Sequence, residues 1–133
     1  MADLVRIFAA EAGTTIGDIS HDSANPPDVI IEVEASAAEF GAGAAYSIGG
    51  FARDFATGTV NALVPAAGVV AAGALNTLAW PNRNHEFVFN LPANVIAAAA
   101  AGGVVELVGV VRVGAAIAGA SADIEDAMFM WVV

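Results

Sequence analysis

Hydrophobic and polar residues alternate with a period of two along several segments of the chain, a pattern typical of β-strands with one buried face. In the clearest segment, one face carries Val29, Ile31, Val33 and Ala35, and the other carries Glu32, Glu34 and Ser36. Strong alternation predicts four strands, at Asp28 to Ser36, Glu86 to Leu91, Val104 to Val113 and Asp123 to Val133. Weaker alternation predicts four more, at Leu4 to Ala9, Thr14 to Ile19, Ala45 to Phe55 and Val69 to Trp80.

The last of the strong segments differs from the others because both of its faces are apolar. Phe129 and Trp131 share one face, while Met128 and Met130 share the other. A strand of this kind is expected in the centre of a sheet, or in a sheet that something else covers.

One segment has the features of a helix. Pro92 stands at an early helical position, a run of alanines follows, and Gly102 and Gly103 provide a stop. We therefore predict a short alanine-rich helix over Pro92 to Ala101. A second short helix around Ser36 to Gly41 has weaker support.

Turn residues separate the predicted strands at intervals of ten to fifteen residues, which favours a β-sandwich or barrel. We predict an all-β fold with a single domain over residues 1–133: an antiparallel β-sandwich, jelly-roll-like or Ig-like, with about eight strands and one short alanine-rich helix. The order of the strands stays open, because several Greek-key arrangements fit the same pattern.

Composition excludes several classes of function. The chain has 133 residues, no cysteine, and four basic residues against 14 acidic ones, for a net charge of -10. All four basic residues are arginines, so a P-loop lysine and a lysine Schiff base are absent, and without cysteine the chain has neither a disulfide nor a thiolate metal site. Such a chain is not expected to bind nucleic acid, because it cannot neutralise a run of phosphates.

Neither a leader nor a membrane span is expected. Residues 1–20 lack a basic region followed by an apolar one, so no signal peptide is predicted and synthesis in the cytoplasm is expected. The apolar stretch Val95 to Ala120 contains Glu106 and Arg112, and it fits buried strands joined by a glycine-rich turn better than a span.

The low charge content favours self-association. Charged residues make up 14% of the chain and hydrophobic residues 58%, so an outward sheet face of small apolar side chains is expected to be covered by partners. We therefore expect a non-enzymatic structural protein that forms a homo-oligomer or a larger shell, such as a virion capsid, a decoration layer or another surface lattice. The candidate interface residues are Trp80, Phe129, Trp131 and Val133, although a tryptophan more often closes one end of a sandwich core.

A second hypothesis is a small binding module. The loop after Trp80 carries Asn82, Arg83, Asn84 and His85, which are suited to a glycan or a peptide. Calcium is a further option, through the carboxylates of Asp22 with Asp28 or of Asp123, Glu125 and Asp126, although no EF-hand pattern is present.

A third hypothesis is a small hydrolase that uses Ser47, because Tyr46 to Gly50 resembles a relaxed nucleophile elbow. The strand-like alternation that follows Ser47 argues against it. Two histidines with a carboxylate would suit a facial metal triad, but His21 and His85 are 64 positions apart, and two exposed loop histidines are the simpler interpretation. We accordingly predict no catalytic residue, no metal ligand and no cofactor.

Overall fold

The computed structural model describes residues 2–114 and 121–132, which form an all-β sandwich, as the sequence predicts. Ten strands and two short helices are described instead of about eight strands and one helix. The strands are β1 (Asp3–Ala10), β2 (Ser20–His21), β3 (Asp28–Glu34), β4 (Ala45–Asp54), β5 (Val60–Ala62), β6 (Val64–Pro65), β7 (Ala72–Ala74), β8 (Asn84–Asn90), β9 (Val104–Val113) and β10 (Ser121–Trp131). The helices are α1 (Ala37–Gly41) and α2 (Ala93–Ala97).

The strands form two sheets that pack face to face. The four-stranded sheet has the order β1-β3-β8-β6, and the six-stranded sheet has the order β2-β10-β9-β4-β5, with β7 also paired to β4. Neighbouring strands are antiparallel except for β2, which pairs with β10 in parallel over two residues.

The strong alternation correctly predicts the buried faces. On β9, Val105, Leu107, Val111 and Val113 are all buried, and they face the other sheet. Gly109 lies on the same face, where an added Cβ would come within 3.2–3.3 Å of Leu4, Ile7 and Ile31. The two sheets therefore approach each other closely at the centre of β9.

Aromatic side chains fill the core toward both ends of β9. Trp80 contacts Tyr46 and Phe87 edge to face, with ring centroids 5.1 and 5.3 Å apart. Phe129 and Trp131 form a similar pair at 4.9 Å. Because Tyr46 pairs with Val113 and Phe129 pairs with Val105, these clusters lie toward opposite ends of that strand.

Both predicted helical regions are helical, but the second helix is shorter than expected. Ser36 caps α1, since its hydroxyl accepts from the Glu39 amide and also donates to the Glu39 carboxylate. Helix α2 ends at Ala97, not at Ala101. The reason is tertiary, since the Gly102 amide donates to the Trp131 carbonyl at 2.8 Å and draws the chain onto β10.

Two of the weakly predicted strands are wrong. Thr14 to Ile19 is a loop that folds back on β1, where the Asp18 amide donates to the Ala9 carbonyl. Of Val69 to Trp80, only the three residues of β7 are a strand. The short strands β5 and β6, which were not predicted, form one segment that changes sheets at the buried Leu63 and closes one side of the sandwich.

Adjacent glycines on β4 give a test of the close backbone packing. A Cβ added at Gly50 would overlap the Val108 carbonyl oxygen, whereas one added at Gly49 would meet no heavy atom within 4 Å. We expect Gly50→Ala to lower the free energy of unfolding by about 3 kcal/mol. Gly49→Ala, the matched control, should change it by less than about 0.5 kcal/mol. Urea unfolding followed by the fluorescence of the buried Trp80 and Trp131 measures both, and equal effects would contradict this packing.

Candidate functional site

The side of the six-stranded sheet that faces away from the four-stranded sheet is the candidate functional surface. The strand registers of β4, β9 and β10 determine which side chains it carries. We call this surface the outer face, and its described side chains are Ser47, Phe51, Arg53, Val104, Glu106, Val108, Val110, Arg112, Ile124, Asp126, Met128 and Met130, with Gly49 among them.

Large apolar side chains of the outer face are exposed to solvent. The exposed fraction is 61% for Ile124, 56% for Met128, 42% for Met130 and 38% for Phe51. Two half-buried valines of β9, Val108 and Val110, run between them. The strand β10 therefore has two apolar faces, as the sequence predicts, but it lies next to the edge strand and its outer side is uncovered by the described part of the chain.

Charges on the outer face balance. Arg53 and Glu106 form an ion pair of 2.9 Å between β4 and β9, and the Arg53 guanidinium also lies 4.8 Å from the centre of the Phe55 ring. Arg112 and Asp126 are exposed, and neither has an ion-pair or hydrogen-bond partner among the described residues. Two positive and two negative side chains therefore leave this surface without net charge.

A shallow groove of about 180 Å³ crosses the outer face at the glycines of β4. It exists because Gly49 has no side chain, so the surface drops between Ser47 and Phe51. Its lining residues are Ser47, Ile48, Gly49, Gly50, Val110 and Arg112.

Ser47 lies inside a ten-residue strand, paired with Arg112 on one side and Ala72 on the other. A nucleophile elbow requires a sharp turn from a strand into a helix. Strand β4 instead continues to Asp54, so the resemblance of Tyr46 to Gly50 to an elbow does not extend to the backbone.

The tryptophans and Phe129 lie in the core. Trp80 and Trp131 have an exposed fraction of 0% and Phe129 of 2%, which confirms the prediction that these tryptophans close the ends of the core. A buried side chain offers no surface to a partner, so these three candidate interface residues do not lie on the surface of this fold. The exposed side chains of the same strand are Met128 and Met130, and Val133 lies outside the described residues.

The loop predicted as a ligand site is held to the four-stranded sheet by its own polar groups. The Arg83 guanidinium donates from Nε to the Ala35 carbonyl at 3.0 Å, and the Arg83 carbonyl accepts from the Trp80 indole at 3.3 Å. The Asn84 amide donates to Glu32 at 2.9 Å. Asn82 is exposed, and the loop presents no aromatic platform because Trp80 is buried beneath it.

The prediction of two exposed loop histidines is wrong. His21 is buried on β2, with its Nε2 atom 2.9 Å from the Asp18 carbonyl oxygen and its ring against the edge of Phe129. His85 is half-buried on β8, its ring centroid 4.8 Å from that of Phe87, and burial lowers the pKa of its imidazole. The parallel pairing of β2 with β10 buries His21, and the sequence contains no signal for that pairing.

Acidic side chains considered for calcium bind backbone amides of this chain. Asp28 accepts from the Gly13 amide and Asp123 from the Leu4 amide, each at 2.9 Å, and Asp22 accepts from the Ala24 amide at 2.8 Å. Glu125 is exposed. Within residues 2–114 and 121–132, no three histidine, aspartate or glutamate side chains are grouped so that they could hold a metal ion.

None of the helices described in the chain is long and apolar enough to cross a membrane. In comparisons with protein-family models, with curated proteins and with solved structures, nothing matches this chain. Its function therefore has to be inferred from its own geometry.

Glu32 gives a pH-dependent test of the contacts around the loop. Hydrogen bonds from Asn84 and then Arg6, at 2.9 and 2.6 Å, lower the pKa of its carboxyl group. A carboxylate whose pKa is lower in the folded than in the unfolded state stabilises the fold above its unfolded pKa, and this contribution is lost as the pH falls through the folded pKa. We expect Glu32→Gln to lower the free energy of unfolding at pH 7 by about 0.5–1 kcal/mol.

The difference between this variant and the wild type should vanish toward pH 3, as measured by urea unfolding at both pH values. Glu34→Gln, on the same strand and exposed, is the control and should have little effect at either pH. An undiminished effect of Glu32→Gln at pH 3 would assign its role to packing instead of charge.

Proposed function

We propose that this chain is a non-enzymatic assembly subunit that associates with copies of itself through the outer face. Subunits of this kind build a virion capsid, a decoration layer or another surface lattice. The observation that supports this function is the uncovered apolar face of the six-stranded sheet. Ile124, Met128, Met130 and Phe51 are exposed on this face, although the alternation of these strands places equally apolar residues in the core.

Contiguous apolar surface of this kind is unfavourable in water and marks sites where proteins associate. A sheet face suits this purpose because its side chains are fixed by a rigid hydrogen-bonded ladder. Two such faces pack about 10 Å apart, as the sheets within a sandwich do. Burial of the outer face would therefore repeat between copies the packing that forms the core of one copy.

The other surfaces favour this function over a binding module. Arg83 and Asn84 use their polar groups to hold the loop after Trp80, and the carboxylates of Asp28 and Asp123 accept from backbone amides. These groups stabilise the fold, whereas the exposed apolar side chains of the outer face contribute little to it.

The absolute mass of the purified protein, measured by light scattering over a concentration series, tests this function. We expect masses well above 13.3 kDa that rise with concentration until the assembly is complete. Ile124→Lys places a charge at the centre of the outer face and should shift the chain toward a 13.3 kDa monomer. The shift should correspond to at least a tenfold weaker association.

Ile16→Lys is the matched control, because Ile16 has nearly the same exposed fraction, 64% against 61%, but lies in the loop between β1 and β2. It should leave the mass unchanged. A wild-type monomer at every concentration would contradict the proposed function. Association that is insensitive to Ile124→Lys would contradict the assignment to the outer face.

A further inference from the structure

Three neighbouring rows of side chains cross the outer face at right angles to its strands, beside the rows of Glu106 and Val104. The central row contains Gly49, Val110 and Ile124. On one side lies the row of Ser47 and Arg112, and on the other the row of Phe51, Val108 and Asp126. Each flanking row is two residues, or roughly 7 Å, from the central row.

The shapes of the two flanking rows are complementary. On β4, the aromatic ring of Phe51 projects from one row, and the groove that includes Ser47 and Gly49 lies toward the other. Phe51 is 38% exposed, and a Cβ at Gly49 would meet open space. A projection and a depression therefore lie on the same strand, on either side of the central row.

The charges of the two flanking rows are complementary as well. Arg112 on β9 lies in one row and Asp126 on β10 in the other, and both are exposed without a partner in the described parts of the chain. Each of the other three arginines has a partner, since Arg6 pairs with Glu32, Arg53 with Glu106, and Arg83 with a backbone carbonyl. Arg112 is therefore the one arginine that the described parts of the chain leave without any partner.

We propose that the outer face docks onto the outer face of a second copy about a two-fold axis. The axis lies between the two sheets and runs along the row of Val110 and Ile124, at right angles to the strands. This inference rests on the proposed function and names the partner and the contacts of that surface. Because an isologous contact closes on two copies, it makes a dimer the unit from which a larger assembly would be built through other surfaces. The axis exchanges the two flanking rows. Phe51 then lies over the partner's groove, and Arg112 lies over the partner's Val108, about 5 Å from the adjacent strand that carries the partner's Asp126, with both contacts made twice.

A second copy fits this surface because an isologous contact requires a surface that is complementary to itself. Packed sheets lie about 10 Å apart, a distance that an arginine and an aspartate span together. Val110 and Ile124 meet their own equivalents at the axis, where no charge is present. The outer face has no net charge, so the contact brings together two surfaces that do not repel locally, although each chain is strongly acidic.

Charge reversal tests the pairing of Arg112 with the partner's Asp126. In Arg112→Glu every paired contact becomes Glu against Asp, and in Asp126→Arg it becomes Arg against Arg. We expect each variant alone to associate at least tenfold more weakly than the wild type in sedimentation equilibrium. An equimolar mixture should associate again. In the mixed dimer the two substituted side chains, of opposite charge, face each other in one contact, and the native Arg112 and Asp126 side chains face each other in the second.

The mixture separates a contact between chains from one within a chain, because mixing leaves every intrachain contact of each variant unchanged. Recovery in the mixture also shows that both variants are folded. Glu125→Arg is the matched control, since it makes the same change in net charge at the neighbouring position, which belongs to the other side of β10. It should associate at least as strongly as the wild type.

The groove has a separate test. Gly49→Leu places a side chain in the groove from a Cβ position that no heavy atom approaches within 4 Å, and should weaken association about tenfold while the free energy of unfolding of the monomer is retained. The two-fold contact would be overturned if both charge variants associated as strongly as the wild type. It would also be overturned if their equimolar mixture stayed monomeric. In either case the wild-type mass and the effect of Ile124→Lys would still support the proposed function, whereas a wild-type monomer at every concentration would overturn both.

Discussion

The register between β4, β9 and β10 is the constraint on which the rest of the structure depends. Because side chains alternate along a strand, a slip of one residue would exchange the buried and exposed faces of the strand that moved. Val105, Leu107, Val111 and Val113 would then leave the core. The close approach of the Gly50 backbone to Val108 keeps β4 and β9 in this register, since any residue with a side chain at that point would displace the strand.

The same register arranges the outer face. It places Arg53 beside Glu106, where they form an ion pair, and it places Arg112 and Asp126 two rows apart, where they do not. Because the strands and sheets approach closely at Gly50 and Gly109, the core has little room for large side chains. Apolar side chains therefore remain exposed on the outside of the six-stranded sheet, so a thin core and an apolar surface follow from the same alanine-rich and glycine-rich composition.

Sequence patterns predict the long strands well and the short ones poorly. Strands β3, β8, β9 and β10 have seven to eleven residues each and bury apolar side chains at alternate positions, so a period of two is visible in the sequence. Strands β2, β5 and β6 have two or three residues each, too few to show a period, and β2 and β6 pair with strands that are distant in the chain. The burial of His21 could not be predicted for the same reason. The segment Thr14 to Ile19 alternates like a strand, but it is a loop that contacts β1 on one side and has no described strand on the other.

The candidate site could be predicted only in part. The apolar outer side of β10 is visible in the sequence as Met128 and Met130. The contribution of Phe51 and Gly49 to the outer face is not visible in the sequence, because it depends on which residues of β9 lie beside them. Three of the four predicted interface residues are large aromatic side chains, and in a small sandwich the largest side chains are the ones that the core requires. Trp80, Phe129 and Trp131 are therefore buried, and the surface is formed by medium-sized residues.

The distribution of charge limits how copies of this chain can meet. The outer face has no net charge, so the formal charge of -10 lies on the rest of the molecule. Two acidic surfaces repel each other over about 10 Å at moderate ionic strength, and most relative orientations of two copies are therefore disfavoured. In the proposed dimer, contact through the outer face would keep these acidic surfaces on opposite sides of the pair. Repulsion elsewhere would then provide the specificity that small apolar side chains cannot provide by shape alone.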